Sequence, residues 1–447
     1  MLVCQSIFAS KFNVKLNKQK NMKKFYLILI VLFFYNLSWG QTTLISPTGD
    51  GGFENGTTFT ANGWTVVNHT TNTWQVGTAA TSYAGTNGAF ISNNSGTSWA
   101  YTITSSQTSH FYRDVTIPSG ETYISLSFQW KGKGELNWDR LLVYTAPTTI
   151  TPVAGIPASS STTLTGATLV FTQTNNTQTT YTSANIILPS ALAGTTVRLI
   201  FTWQNDNSGG TSPGVAIDNI SLISQLPLTG TKTIKSSGGD YSSFTSAINA
   251  LNSFGVGTGG VTFNVDADLV TTEDCPIITA TGTAANPIIF QKSGAGANPI
   301  IKPTGTAGAT DAGIAINGGD YITFDGIDIT ENTGSALEFG YYIYNKSATD
   351  GAQHNTIKNS KITLNRTNTS SIGIYQNTNT TPTNQSTGNN NNNKYYNIIV
   401  ENAYTGVYLK GNSSTYFDSG CEYGVLNGGY SFIGASTSND IGDGSSA

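Results

Sequence analysis

The sequence predicts an all-β protein built in two successive domains, with one helix at the start of the second. Three observations lead there. First, in residues 123–131 Ile124, Leu126, Phe128 and Trp130 alternate with Ser125, Ser127 and Gln129, and in residues 197–203 Val197, Leu199, Phe201 and Trp203 share one parity. Period two with one apolar face marks a half-buried strand. Second, Gly- and Asn-rich turns separate such runs along the whole chain, as all-β folds require. Third, the pattern changes after Leu226-Pro227. In residues 240–254, Phe244, Ile248, Leu251 and Phe254 fall near one helical face, Ser242 or Ser243 can cap the start, and Gly255 ends the run. Charged residues are 10% of the 447, far below the usual quarter. The 11% aromatic content and the β-branched runs argue for order rather than disorder.

The chain opens with a segment that does not belong to this fold. Met22-Lys23-Lys24, the apolar run from Phe25 to Tyr35, and small residues Ser38 and Gly40 make residues 22–40 a secretory signal with cleavage expected before Gln41. Residues 1–21 fit no pattern and read as a spurious upstream extension, with Met22 the true start. Removing residues 1–40 leaves 15 basic and 25 acidic residues. That balance excludes nucleic acid, whose phosphates need a basic face. No later segment is long and apolar enough to span a bilayer. Cys275 and Cys421 show no metal-ligand spacing and read as two separate thiols.

Two motifs bracket the first domain. One is Gly51-Gly52-Phe53-Glu54-Asn55-Gly56 followed by Asn62-Gly63-Trp64, and the other is Val215-Ala216-Ile217-Asp218-Asn219-Ile220-Ser221-Leu222. The ordered pair resembles the galactose-binding-like jelly rolls, which include MAM-like, cleaved-adhesin and carbohydrate-binding domains of secreted proteins, across roughly residues 44–224. The resemblance implies that first and last strands are neighbours and that Glu54 and Asp218 help hold a structural Ca2+, a hard cation suited to carboxylate and carbonyl oxygens. In the closing strand Val215 and Ile217 share one parity and Ile220 and Leu222 the other, which predicts a bulge near Asp218 and Asn219. Residues 147–182 read as long loops over one edge, with Leu169-Val170-Phe171 their one strand core. Trp74, Trp99 and Trp138 are candidate saccharide contacts through stacking; Trp64 and Trp130 read as core.

The second domain, residues 228–447, repeats short strand cores separated by Asn, Gly and Asp turns. The runs Tyr321-Ile322-Thr323-Phe324-Asp325-Gly326-Ile327-Asp328-Ile329 and Asn355-Thr356-Ile357-Lys358-Asn359-Ser360-Lys361-Ile362 resemble rungs of right-handed parallel β-helix proteins of the pectate-lyase-like type. The helix would plug the first rung. The fold class is therefore a jelly-roll β-sandwich (residues 42–225) followed by a right-handed parallel β-helix with one N-terminal capping helix. The Asn- and Thr-rich tract 377–393 reads as a mobile loop thrown out from one rung.

No catalytic constellation emerges. Asp325, Asp328, Glu331, Lys358, Lys361 and Arg366 are the candidates for a polysaccharide lyase or hydrolase, but nothing in the sequence sets the bases against the acids. His69, His110 and His354 lie at no metal-ligand spacing. The expected function is adhesion or binding of a surface or matrix glycan by a secreted or cell-surface protein, with the β-helix as stalk or extended surface. The alternatives are a polysaccharide-cleaving enzyme and a purely structural surface protein. The chain ends at Ser445-Ser446-Ala447 without a closing element, so further C-terminal sequence is expected.

Overall fold

The computed structural model describes residues 41–156, 164–306, 311–333, 336–411, 415, 418–427, 430–433 and 440–442. The leader and the end of the chain lie outside these residues. Among the described residues the structure is all-β with one α-helix, and its contacts divide it after Leu226.

The first unit contains β1 (Gln41–Ile45), β2 (Thr65–Val67), β3 (Thr73–Gly77), β4 (Gly88–Ser92), β5 (Gln107–Thr116), β6 (Tyr123–Lys133), β7 (Arg140–Pro147), β8 (Thr168–Thr172), β9 (Thr177–Leu188), β10 (Thr196–Asn205) and β11 (Ala216–Gln225). One antiparallel sheet runs β3-β4-β11-β6-β9 with β1 on β11, and the other runs β2-β5-β10-β7-β8. Alternation puts Leu126, Phe128 and Trp130 from the first sheet against Leu199, Phe201 and Trp203 from the second. Phe111 and Phe201 stack at 4.8 Å in the centre, with Trp64 and Trp74 edge-on to Phe111 at 5.2 and 4.8 Å.

The first and last strands pair, Ile45 opposite Leu222. The parity break in β11 is a register shift between Asp218 and Ser221, with Asn219 at φ 49°. Gly51 is required beside it. Its carbonyl accepts from Ile220 N at 2.9 Å, and a Cβ there would stand 1.8 Å from the Ile220 carbonyl oxygen. The segment expected as edge loops supplies β8, built on the expected Leu169-Val170-Phe171 core, and also the start of β9, which was not expected. Between β7 and β8 it crosses the outer face of the second sheet, where Ile150 and Leu164 pack on Leu142, Tyr144 and Ile200. The twelve residues of β9 escaped the sequence because Thr and Asn occupy most of its exposed positions.

The second unit opens with a strand at Leu228–Ile234 and helix α1 (Phe244–Phe254). The helix starts later than expected. Ser243, one of the two expected caps, is the N-cap, in a capping box with Ser246, and Asp240 lies before the helix, bound to Thr233. Glu273 adds a second cap by accepting from Phe244 N and Thr245 N at 3.1 and 2.7 Å. Beyond α1 the chain makes parallel ladders. Phe263, Phe290, Phe324, Ile357 and Tyr395 stand in register in one column, Ile301, Ile329, Ile362 and Val400 in a second, and Ile314, Tyr341, Ile374 and Val407 in a third. All are buried in one core together with the inner face of α1, apart from the partly buried Val400.

The Asn-rich tract is folded, which corrects the expectation of a mobile loop. Asn389, Asn390, Asn391 and Asn393 are buried. Asn393 Nδ2 donates to Ala352 O at 2.9 Å and its Oδ1 accepts from Asn355 N at 2.9 Å. Asn355 Oδ1 in turn accepts from Ile322 N at 2.9 Å. Asparagine serves here because one side chain both donates and accepts, which a turn buried between stacked strands needs.

The Phe263–Phe290–Phe324 stack, with centroids 4.5 and 4.9 Å apart, is the centre of this core. Phe290→Ala is expected to cost the second unit about 3–5 kcal/mol, read from urea denaturation followed by far-ultraviolet ellipticity. A loss below about 1 kcal/mol would show that the stack is not what the unit rests on.

Candidate functional site

Glu54 and Asp218, far apart in sequence, meet the same loop. Asp218 Oδ2 accepts from Tyr83 N and Ala84 N at 2.7 and 3.1 Å, and its Oδ1 from Asn219 N at 2.7 Å. Glu54 Oε1 accepts from Thr86 N and Asn87 N, both at 2.9 Å. Gly85 between them has φ 64°, and a Cβ there would lie 2.5 Å from Glu54 Oε1. Asp218 is fully buried. Burial pushes its carboxyl up to about 6, with the Glu54 charge adding to the rise and the backbone donors opposing it. Neither carboxylate makes an ion pair among the described residues, and no group of three or more His, Cys, Asp or Glu side chains there is placed to hold a metal. The loop presents backbone N–H groups to both carboxylates, and a pair of carboxylates is donor chemistry for a hard cation rather than for a transition metal.

The sandwich also carries a cavity of about 490 Å³ on the outer face of its second sheet. Its floor is set by cross-strand register: His110 lies opposite Thr202, and Thr108 opposite Gln204. Its roof is the β7–β8 crossing, through Thr151, Val153 and Ile156. Val153 and Ile156 are 78% and 71% exposed. His110 Nε2 is 3.2 Å from the Val153 carbonyl and Nδ1 is 2.8 Å from Thr202 Oγ1. A carbonyl only accepts, so Nε2 carries the proton and the Thr202 hydroxyl donates to Nδ1. Burial lowers the imidazole to about 4, so it stays neutral at physiological pH. Among the described residues no acidic side chain, lysine or arginine lines the cavity. Sequence reasoning missed it. Parity alone puts Thr202 and Gln204 on the face opposite Phe201 and Trp203, but only register sets them against His110 and Thr108.

The tryptophans do not converge. Trp74 is 1% exposed in the core and donates Nε1–H to Ser109 O at 3.1 Å, which removes it from the ligand contacts. Its parity with Val76 in β3 was the signal for an inward face. Trp99 is half-buried, donates to Gly214 O at 2.9 Å, and has Lys131 Nζ 4.7 Å from its ring centroid. Trp138 is 38% exposed on the turn between β6 and β7. None of the three lines the cavity. Trp64 and Trp130 are buried, as expected.

In the second unit Asp325, Asp328, Lys358 and Lys361 are each held by a neighbour. Lys358 Nζ is 3.3 Å from Asp325 Oδ2, its in-register neighbour. Asp328 Oδ1 accepts from Lys361 N and Asn298 Nδ2, both at 2.8 Å, and Lys361 Nζ is 2.9 Å from Glu401 Oε2. Cys275 and Cys421 form no disulfide, and the buried Cys421 Sγ lies 3.5 Å from Asn390 O. Among the described residues no helix is long and apolar enough to cross a membrane.

No protein family matches the chain, and no curated protein does. Solved structures do, over about two fifths of it. One is TmCBM61 in complex with β-1,4-galactotriose, at 10% identity and TM-score 0.25, covering 40% of this chain and 97% of that one. A Stig cyclase from Fischerella sp. TAU shares 15% identity at TM-score 0.28, covering 41% and 99%. The K2 cleaved adhesin domain of Lys-gingipain shares 13% at TM-score 0.25, covering 42% and 98%.

The Asp218 shift has a definite sign. Between its ordinary 3.8 and about 6, the folded chain holds a proton that the unfolded chain has released, so this group makes stability fall as pH rises through that window. Asp218→Asn removes the contribution. With chelator present, the stability of the variant relative to the parent is expected to rise by up to about 3 kcal/mol between about pH 4 and about pH 7, measured by urea denaturation at each pH. A pH-independent difference would show that the carboxyl is not perturbed by folding.

Proposed function

We propose that the sandwich is the binding module of an exported, cell-surface protein, and that it takes a neutral, hydroxyl-rich ligand of the saccharide class. The observation that supports this is the second-sheet cavity. A saccharide offers many hydroxyls and no charge. The cavity offers side-chain hydroxyls, an amide and an imidazole kept neutral by burial, with exposed aliphatic groups at its roof for the C–H faces of a sugar. The second unit is then a right-handed parallel β-helix that serves as stalk or extended surface, each rung supported by the next. The acidic charge left after leader removal fits a neutral ligand better than a polyanion. A second reading, polysaccharide cleavage from the second unit, draws on the in-register Lys358–Asp325 pair, an acid and a base side by side on neighbouring strands.

Glu54 and Asp218 would hold one structural Ca2+ with backbone oxygens of the loop they face. The ion would supply the positive charge that two converging carboxylates lack, and fix the loop between β3 and β4.

A glycan array followed by calorimetry tests the binding reading. Gln204→Ala is expected to weaken a neutral glycan at least about tenfold with the fold intact by circular dichroism, while Trp138→Ala leaves affinity unchanged. Retained affinity in Gln204→Ala, or turnover of a polysaccharide that disappears in Lys358→Ala, would overturn it. For the ion, chelator is expected to lower the Tm of the sandwich. A site held at about 100 times its Kd adds about 2.7 kcal/mol, or about 5–10 °C for a domain of this size, and Asp218→Ala should abolish the sensitivity. An unchanged melt in chelator rejects the site.

A further inference from the structure

The neutral cavity of the sandwich holds a buried amide that nothing else in the fold satisfies. Gln204 lines the cavity from β10 and is 2% exposed, yet its side-chain amide makes no hydrogen bond among the described residues. Alternation explains its direction, since Phe201 and Trp203 fill the core and leave Thr202 and Gln204 on the outer face. Arg140, its register neighbour on β7, does not line the cavity. The other polar groups of the floor are committed. The Thr202 hydroxyl donates to His110 Nδ1 at 2.8 Å, and His110 Nε2–H donates to Val153 O at 3.2 Å. Thr108 exchanges both of its backbone hydrogen bonds with Gly155, at 2.7 and 3.2 Å, and the Tyr144 hydroxyl bonds the Leu164 backbone. An amide buried without a partner carries a desolvation cost that a group entering the cavity can relieve. Gln204 is therefore the point at which this cavity reads its ligand.

Aliphatic side chains share the cavity with that amide. Ile150, Val153, Ile156 and Leu164 all line it, and Val153 and Ile156 are the two most exposed large apolar residues among those described. Sugar hydroxyls do not use such a surface. A carboxylate or an ammonium on the ligand would be desolvated here without a counter-charge. An acetamido group on a pyranose answers both features. Its carbonyl is an acceptor for Gln204 Nε2, the adjacent ring hydroxyl is a donor for Oε1, and its methyl is apolar. The two oxygens lie side by side on the sugar, as the two ends of a carboxamide require.

We propose that the cavity selects a 2-acetamido pyranose, with the acetyl carbonyl on Gln204 Nε2, the neighbouring ring hydroxyl on Oε1, and the acetyl methyl against the aliphatic side chains of the cavity. This rests on the neutral-saccharide reading of the same cavity and narrows it to one substituent. The test is calorimetry on the intact chain with the methyl glycosides of N-acetylglucosamine, N-acetylgalactosamine, glucose and galactose. Each acetamido sugar differs from its counterpart only at C2. At least one acetamido glycoside is expected to bind about tenfold or more tighter than its counterpart. Saturation-transfer NMR on the parent chain should show its strongest enhancement at the acetyl methyl. Gln204→Glu keeps the size and an acceptor oxygen but removes the amide donor, and should abolish the preference within each pair. That preference is a ratio, so a partial loss of folded chain does not mimic the effect. Equal binding within both pairs, the weakest enhancement at the methyl, or an undiminished preference in Gln204→Glu would overturn this inference and leave the neutral-saccharide reading standing. Binding of none of the glycosides would also overturn it, and a blank glycan array would remove the broader reading as well.

Discussion

Every buried peptide group and polar side chain in this protein must find a partner inside the fold, and with few charges the chain meets that demand with amides, hydroxyls and a handful of carboxylates. In the sandwich, Asn72 Nδ2 donates to Asn205 Oδ1 at 3.0 Å while Asn205 Nδ2 donates to Ser105 O at 2.6 Å, and Asn62 ties the turn before Trp64 to Gly56 and Thr58 at 2.8 Å each. In the second unit Asn355, Asn390 and Asn393 do the same between stacked turns. The unusual composition of the chain is thus a consequence of its architecture. Loops buried between strands need side chains that donate and accept at once, and asparagine does so without the cost of burying a charge.

The carboxylates that are buried stand out against this background. Asp139 accepts from Tyr101 Oη at 2.5 Å and from Asp206 N at 3.0 Å, and burial raises it to about 6. Asp218 does comparable work for the loop between β3 and β4, with Glu54 next to it. Asp218 secures its loop by accepting from three backbone N–H groups and Asp139 by accepting one N–H and one hydroxyl, and each carries a desolvation cost that a protein of this composition incurs at few places. Such positions mark where the fold has been built around a group rather than merely tolerating it.

The two units differ in a way that follows from their sheets. In the antiparallel sandwich, cross-strand neighbours come from distant parts of the chain, and the outer face of the second sheet assembles His110, Thr202, Thr108 and Gln204 into a neutral floor. In the parallel unit each column repeats one position strand after strand, so a ring recurring at Tyr342, Tyr375 and Tyr408 becomes a continuous stack. At the first level Ala315 stands where the later strands carry tyrosine, and the register of rings ends there. Antiparallel pairing brings distant residues together, and parallel stacking repeats one position.

The sequence alone determined what depends on local period. The alternation in β6 and β10 named their core faces, the spacing of Phe244, Ile248 and Leu251 named the helix, and the parity break in β11 named its bulge. The bracketing motifs also brought Glu54 and Asp218 to one loop. Only the tertiary structure decided what depends on register and stacking. Whether Asn389 to Asn393 wave in solvent or seal a turn, and which residue faces His110, are set by partners dozens of residues away. No local pattern encodes them, because a strand's periodicity fixes which side chains share a face but not which strand lies beside it or at what offset.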